Sequence, residues 1–314
     1  AAAVAAATAG AEVFLAAPRT SLGEDVCGTL RLQDDAALPE SFIHEGRVTP
    51  MRVKKALDKQ LTEAGVHYLF GCYATEPICG TAGAANVLGG FAMANRAGCQ
   101  AVLARVVIDA TDRAWFARQA GAQASSWPVG EHDFERTVIV PGDDGEARFE
   151  TRRITIEMPA GGFVDFARAE QTARDETYRE GQLRASEHIF QVPPDPLVCR
   201  RPADQWSGKP ETDHFRPVGL DRLYLISGCA DVPRVAAAEL LRPGGLMAVG
   251  SRVGAEAARQ AAVVERATNP HVRGSEQRTC DDDHAARSAD GRRLRGDRGV
   301  QCSDEPPPVP GRYD

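Results

Sequence analysis

Patterns typical of membrane, secreted and metal-dependent proteins are missing from this sequence. Its 314 residues contain no apolar run of the roughly 18 to 20 residues that cross a bilayer. The eight cysteines stand far apart without a CxxC pair, which argues against a structural zinc site, and disulfide frameworks belong to small secreted chains. The seven histidines show no HxxxH or HExxH spacing, and no GxSxG occurs. Metal-dependent and serine-dependent hydrolysis therefore have no support.

What is present is the composition of a globular protein with an acidic balance. Hydrophobic residues make up 43% of the chain, and its formal net charge is −7. A negative chain of this kind is a poor general binder of nucleic acid. We expect a small-molecule substrate, no metal, no nucleic-acid or membrane partner, and a cytoplasmic location.

The chain opens on what looks like the second half of a βαβ unit. Residues 1–10 favour a helix that ends at Gly10, and residues 11–17 form a short apolar segment typical of a parallel strand buried on both faces. A right-handed crossover needs a parallel strand before the helix. Because no residues precede Ala1, we predict that the first strand is missing.

Further βα patterns follow, interrupted by a segment of different character. Thr49 and Pro50 predict a helix start, and a β-meander leads from there to a buried strand at residues 106–110. Residues 126–217 suggest an α+β unit with a hairpin around residues 141–145 and a long helix over residues 163–189. A buried strand at residues 223–226 and two helices complete the pattern. From about residue 266 the composition favours a disordered tail, in which the run Asp281–His284 is a solvated acidic stretch.

The N-terminal segment TAGAEVFLAAPRTSLGEDVCGTL resembles the FAD-dependent oxidoreductases of the glutathione-reductase-like superfamily. There a glycine loop and a helix lead to a strand, a basic residue and a Leu-Gly turn. The resemblance assigns Arg19, Gly23 and Glu24 to the cofactor, although Ala17 stands in place of the family's acidic residue. Arg19 considered alone is a solvated loop cation.

Two later segments carry the same resemblance, which runs from Ala1 to about Val264. VVIDATD resembles the family's strand followed by Ala-Thr-Gly and implies that Ala110, Thr111 and Asp112 lie near the flavin nucleotide. LYLISGCAD resembles the late strand ending in Gly-Asp and implies the same for Gly228 and Asp231. The alternative for each acid, Asp112 and Asp231, is the N-cap of the helix that follows.

A fourth segment, GEDVCGT, corresponds to the place where dithiol flavoenzymes carry a redox-active cysteine pair. Cys27 occupies one position, but Leu32 replaces the partner, so we expect packing rather than dithiol chemistry. Trp206 and His214 are candidate substrate-pocket residues in the segment that leads back to the cofactor domain. We cannot name a catalytic acid or base from the sequence.

The resemblance implies an α/β protein with a doubly wound, Rossmann-like FAD-binding domain whose first strand is missing. We predict that this domain is discontinuous, with an α+β substrate domain inserted at residues 126–217 between 1–125 and 218–265, and a tail at 266–314. The implied activity is hydride or electron transfer between a substrate and FAD. Two alternatives stay open: a non-catalytic fragment that binds no FAD, and a nicotinamide-dependent dehydrogenase.

Overall fold

Parallel and antiparallel strand pairs divide the chain into distinct parts of the fold. The computed structural model describes residues 1–32, 38–143 and 145–273. The α-helices are α1 (Ala2–Thr8), α2 (Glu24–Cys27), α3 (Pro50–Glu63), α4 (Trp115–Gln119), α5 (Gly162–Glu176), α6 (Arg234–Leu240) and α7 (Pro243–Val263). The strands are β1 (Phe14–Ala17), β2 (Ile43–His44), β3 (Arg47–Val48), β4 (His67–Phe70), β5 (Tyr73–Ala82), β6 (Ala85–Asn95), β7 (Gly98–Leu103), β8 (Val107–Asp109), β9 (Gly130–Pro141), β10 (Ala147–Met158), β11 (Arg184–Ala185), β12 (Leu223–Leu225) and β13 (Thr268–Val272).

The parallel strands form two separate pairs. β1 pairs with β4, and β8 pairs with β12 in the register Leu223 to Val107. The β8–β12 pair lies in the largest hydrophobic core, where the side chains of β12 are fully buried. The mixed α/β class is therefore confirmed. The doubly wound arrangement stays a prediction, because β1–β4 and β8–β12 belong to different two-stranded sheets.

Two antiparallel sheets make up most of the remaining strand structure. One has the order β13-β5-β6-β7, which confirms the meander expected before the strand at 106–110. The other has the order β10-β9-β11 and includes the hairpin predicted around residues 141–145. Helix α5 packs on β9 and β10 around a small core of its own, centred on Phe134 and Met158.

Helix α3 begins where the sequence indicates. The Thr49 hydroxyl accepts a hydrogen bond from the amide of Arg52 at 3.3 Å, and Pro50 takes the first helical position. This arrangement satisfies an amide that has no partner within the helix, and proline has no amide to leave unsatisfied. Its apolar face, with Val53 fully buried, packs against Val26 of α2.

Three structural expectations need correction. The helix predicted to reach residue 189 ends at Glu176, because residues 183–190 instead pair with the free edge of β9. The Leu183 amide, for example, donates to the Ile139 carbonyl at 2.8 Å. Thr268–Val272, which the predicted tail included, forms a strand that pairs with the edge of β5. Strand β1 is not buried on both faces: Phe14 is 40% exposed, and among the described residues the strand pairs with β4 alone.

Residues Ala1–Arg273 form one compact unit. The boundaries drawn at residues 125, 217 and 265 therefore remain predictions within this unit. The acidic run Asp281–His284 lies outside the described residues. None of the helices in the described part of the chain is long and apolar enough to span a bilayer.

Candidate functional site

Three loops meet beyond the carboxyl ends of parallel strands. The segment that follows β1 leads to α2 with Asp25, the loop after β8 contains Ala110 and Asp112, and the turn after β12 contains Ile226 and Ser227. Together with Leu241 and Leu246 they enclose a space of about 110 Å³, which we call the strand-end cavity. Ligands of open α/β sheets bind at such positions, because loops and strand ends diverge there.

A second space adjoins the first and is shaped by aromatic side chains. This aromatic cavity of about 280 Å³ shares Asp25, Asp112 and Leu241 with the strand-end cavity. Its opposite wall comes from β9, α5 and the segment at residues 188–193. Its lining residues are Glu24, Asp25, Thr29, Asp112, Arg113, Phe134, Phe166, Glu170, His188, Ile189, Phe190, Gln191, Pro193 and Leu241.

Asp25 stands where the two cavities meet and faces Asp112. Partial desolvation beside the cavity walls is the larger cause that raises its pKa to about 6, and the negative charge of Asp112 adds to the effect. The residue as a whole remains exposed to solvent. A group with this pKa can release or take up a proton near neutral pH.

Arg113 is the guanidinium of the aromatic cavity, and it shares the carboxylate of Asp195 with Arg118. Its Nη2 donates to Gln191 Oε1 at 2.8 Å, and its Nη1 lies 3.8 Å from an oxygen of the fully buried Asp195. The guanidinium carbon also stands 3.8 Å above the ring centre of Phe166. Burial is the main cause that lowers the pKa of Arg113. The side chain therefore shapes the cavity wall, and Asp195, which lies closer to Arg118 at 3.0 Å, offsets its charge only in part.

His188 brings together two of the residues that the sequence assigned to the cofactor. Its Nε2 lies 2.6 Å from Glu24 Oε1 and 3.1 Å from Arg19 Nη2. The two neighbours demand opposite roles, because Nε2 must donate to a carboxylate but accept from a guanidinium. Its backbone amide donates to the Gly28 carbonyl at 2.9 Å, which ties the segment to the chain after α2.

A set of possible metal ligands surrounds the same histidine. Ligand atoms of Glu24, Glu187 and His188 lie within 4.8 Å of one another. The guanidinium of Arg19, 3.1 Å from the ring nitrogen, places a positive charge where a cation would bind. Its repulsion disfavours a metal there, and the sequence expectation of no metal site stays a prediction.

The loop after β8 is held by a buried acid. Asp109 accepts hydrogen bonds from the Thr111 amide at 2.9 Å and the Thr111 hydroxyl at 2.7 Å, and its second oxygen accepts from the Ala117 amide at 2.8 Å. Thr111 thus positions the loop and does not line either cavity described above. The neighbouring Asp112 does line both cavities, and its side chain does not cap α4.

In the late Gly-Cys-Ala-Asp turn the acid is bonded to backbone amides, and its cofactor role stays a prediction. The two carboxylate oxygens of Asp231 accept the backbone amides of Cys199 at 3.0 Å and Ala203 at 3.1 Å. They neither cap α6 nor line the cavities described above. Gly228 packs so closely on Pro193 that an added Cβ would lie 2.5 Å from its ring.

The remaining sequence candidates lie beside the cavities or away from them. Gly23 precedes α2 with φ of 89°, a conformation that favours glycine, and lies outside both linings. The Cys27 thiol contacts the Pro50 carbonyl at 3.7 Å, and burial raises its pKa, which suits packing. Trp206 and His214 have ring centres 5.3 Å apart, and His214 is fully buried, so they do not line the described cavities.

Sequence reasoning overlooked three residues of the site. Asp25 lies within the cysteine segment, and its position beside Glu24 is a usable signal. Arg113 and His188 carried no recognisable spacing, because the chain folds them onto the cavities from distant segments.

Comparisons with known proteins give structural likeness alone. No family model matches the chain, and no curated protein matches it in sequence. A structure described in studies of BexE and oxidation during BE-7585A biosynthesis has a TM-score of 0.46 and 13% identity, covering 82% of this chain and 60% of the other. Aklavinone-11 hydroxylase, in a complex with FAD and aklavinone, has a TM-score of 0.45 and 11% identity, covering 81% and 59%.

A third likeness is to a geranylgeranyl bacteriochlorophyll reductase-like protein from Thermoplasma acidophilum. It has a TM-score of 0.45 and 13% identity, and the likeness covers 83% of this chain and 78% of the other. The chain thus spans about 60% of the length of the first of these structures. With TM-scores below 0.5, these likenesses assign neither a family nor a function by themselves.

Proposed function

We propose that the chain is the flavin-binding part of an FAD-dependent oxidoreductase that acts on a small molecule. The observation that carries this proposal is the pair of adjoining cavities at the carboxyl ends of β8 and β12. The order of segments along the chain, with its resemblance to FAD-dependent oxidoreductases, supports the same conclusion.

The residues at the junction of the two cavities fit the ring and ribityl part of the cofactor. Ala110 and Ser227 are small enough for close approach, and Ile226, Leu241 and Leu246 offer apolar surface to a planar ring. The carboxylates of the strand-end cavity are suited to accept hydrogen bonds from ribityl hydroxyl groups. The linings supply little for two phosphates, because Arg113 is the one guanidinium among their described residues and Asp195 offsets part of its charge. Arg19, at the edge, is the nearest candidate.

When bound, FAD would exchange a hydride or electrons with the substrate. The chain would orient the substrate against the wall formed by Phe134 and Phe166, and the apolar side chains would restrict water. Asp25 is the group we assign to proton transfer, because it stands at the junction and its raised pKa lies near neutral pH. The substrate domain, at residues 126–217, contributes the aromatic wall in this proposal.

Flavin uptake tests the proposal directly. The purified chain is examined for flavin absorbance, for FAD release on denaturation, and for quenching of added FAD fluorescence. We expect Leu241→Trp, which fills the junction, to abolish uptake. Val235→Trp is the matched control, because Val235 lies nearby in the chain on α6 and is 81% exposed.

The outcome separates the proposal from its alternatives. A colourless chain that also fails to bind added FAD would overturn it and favour a non-catalytic fragment. Protection against unfolding by NAD(P) and none by FAD would instead favour a nicotinamide-dependent dehydrogenase. Equal uptake by both tryptophan variants would mean that FAD binds elsewhere.

A further inference from the structure

Arg234 is the first residue of α6, and its guanidinium joins two segments that are far apart in the chain. Its Nη1 donates to the carbonyl of Pro193 at 2.9 Å and to that of Gly228 at 2.7 Å. Its Nη2 donates to the carbonyls of Ala230 and Val232, each at 2.7 Å. These four bonds use all four hydrogens of the two Nη atoms. One side chain therefore binds three carbonyls of the turn after β12 and one carbonyl of a separate segment.

The two segments that Arg234 joins belong to different cavities. The turn directly follows Ser227, which lines the strand-end cavity, and Pro193 lines the aromatic cavity. The segments pack without spare room, because a Cβ added to Gly228 would lie 2.5 Å from Pro193 Cδ and 2.8 Å from Leu241 Cδ1. Leu241, at the end of α6, lines both cavities. The hydrogen bonds of Arg234 thus lie where the position of one cavity relative to the other is set.

The planar guanidinium is the group that suits this role. The four residues whose carbonyls it binds are all buried, and a buried carbonyl without a donor is costly. A lysine carries its donors on one nitrogen and cannot reach four carbonyls arranged around a plane. The Leu197 amide, which donates to the Cys229 carbonyl at 2.9 Å, also joins the two segments and does not depend on Arg234. Loss of the guanidinium should therefore loosen their alignment while the fold persists.

We propose that Arg234 is a positioning residue that fixes the strand-end cavity and the aromatic cavity relative to each other, and thereby sets the orientation of the flavin. The part of this inference that concerns the flavin rests on the proposed function. Arg234 lines neither cavity, and it acts through Pro193 and the turn after Ser227.

Hydrogen–deuterium exchange of the flavin-free chain, followed by mass spectrometry, tests the alignment. Arg234→Lys keeps the positive charge and removes the planar guanidinium, so exchange should become faster in residues 190–197 and 226–232 together. Arg222→Lys is the matched control, because Arg222 is 7% exposed, donates to the Glu265 carbonyl at 2.7 Å and lines neither cavity. It should leave both segments unchanged. Faster exchange in one segment alone, or in neither, would overturn the inference.

Binding of FAD separates positioning from a general loss of stability. Arg234→Lys should weaken FAD binding about tenfold, because the site is no longer held in the binding geometry. It should also change the shape of the visible circular dichroism of the bound flavin, which depends on the orientation of the ring in the protein. A merely structural role would lower the amount of bound flavin and leave that shape unchanged. Arg222→Lys should alter neither affinity nor shape.

Gly228→Ala disturbs the same contact by a different route and serves if Arg234→Lys fails to fold. Its added Cβ should push the turn away from Pro193, and it should raise exchange in the same two segments and weaken FAD binding. Gly80→Ala is the control, because its Cβ would lie equally close, 2.5 Å, to the Thr268 carbonyl and lines neither cavity. It should leave FAD binding unchanged.

The outcomes for the inference and for the proposed function differ. A parent chain that takes up no FAD would refute the proposed function and, with it, the role of Arg234 towards the flavin. Uptake of FAD by the parent chain, with the same affinity and the same dichroism in Arg234→Lys and Gly228→Ala, would refute the inference and leave the proposed function standing.

Discussion

Replacing Asp195 by asparagine should destabilise the protein strongly. The carboxylate is fully buried, 3.0 Å from Arg118 Nη2 and 3.8 Å from Arg113 Nη1. Among the described residues neither of its oxygens accepts a well-aligned hydrogen bond, so charge rather than hydrogen-bond geometry makes the contact. The substitution keeps the shape, removes that charge and leaves two guanidinium groups without their shared partner.

The magnitude follows from the distances and the burial. At 3.0 Å a unit charge pair gains about 5 kcal/mol at an effective dielectric constant of about 20, and desolvation of the carboxylate offsets much of that gain. Removing one partner of a buried pair typically costs about 3 to 5 kcal/mol. The guanidinium groups keep 17% and 21% exposure, which lets water solvate the orphaned charges. We therefore expect a loss near the lower value, about 3 kcal/mol.

Urea unfolding at pH 7, followed by circular dichroism, measures this loss. Asp221→Asn is the control, because Asp221 pairs with Arg200 on the surface and its side chain is 77% exposed. Asp221→Asn should lower the free energy of unfolding by less than about 1 kcal/mol. An Asp195→Asn variant whose free energy of unfolding lies within about 1 kcal/mol of the parent protein would refute the reasoning that its buried charge stabilises the fold through Arg118 and Arg113.

Three further predictions follow from particular contacts. The folded state raises the pKa of Asp25 from 3.8 to about 6, so the ionised carboxylate destabilises the folded protein above pH 6. Asp25→Asn should therefore raise the urea midpoint of unfolding at pH 8 and leave it unchanged near pH 3.5. A rise of equal size at both pH values would contradict this. Phe134→Ala should lower the free energy of unfolding by about 3 to 5 kcal/mol, because the side chain is 1% exposed. Phe163→Ala is the control and should lower it by under about 1 kcal/mol, because Phe163 is 58% exposed. Similar losses for the two variants in thermal unfolding would refute the burial argument. Thr49→Ala should lower the free energy of unfolding by about 1 kcal/mol, because it removes the N-cap of α3. Ser251→Ala should change it by under about 0.5 kcal/mol, because the Ser251 hydroxyl bonds to a carbonyl within α7.

Local patterns sufficed for the elements whose signals lie within a few residues. The cap at Thr49, the proline after it and the apolar stripe with Val53 are all read from one turn of sequence, and α3 confirms them. The hairpin of β9 and β10 was likewise indicated by alternation and by turn residues. These features depend on backbone preferences and on periodicity, which neighbouring residues control.

Expectations failed where a distant strand edge competed with local preference. Residues 183–190 continue a helical pattern, yet they extend along β9, because an unpaired strand edge gains backbone hydrogen bonds from them. The composition after about residue 266 favours disorder, yet Thr268–Val272 forms a strand, because it gains backbone hydrogen bonds at the edge of β5. Such partners lie more than 40 residues away, beyond any local window.

In the candidate site, too, some features follow from local sequence and others depend on distant parts of the chain. The sequence by itself determined that strands end near Ala110 and Gly228 and that acids follow them, because strand, turn and helix signals are local. Only the tertiary structure decided which acid faces a cavity: Asp112 and Asp25 line the cavities, whereas Asp231 accepts hydrogen bonds from the amides of Cys199 and Ala203. A carboxylate's chemistry depends on whether nearby groups already satisfy its charge, and those groups come from distant parts of the chain.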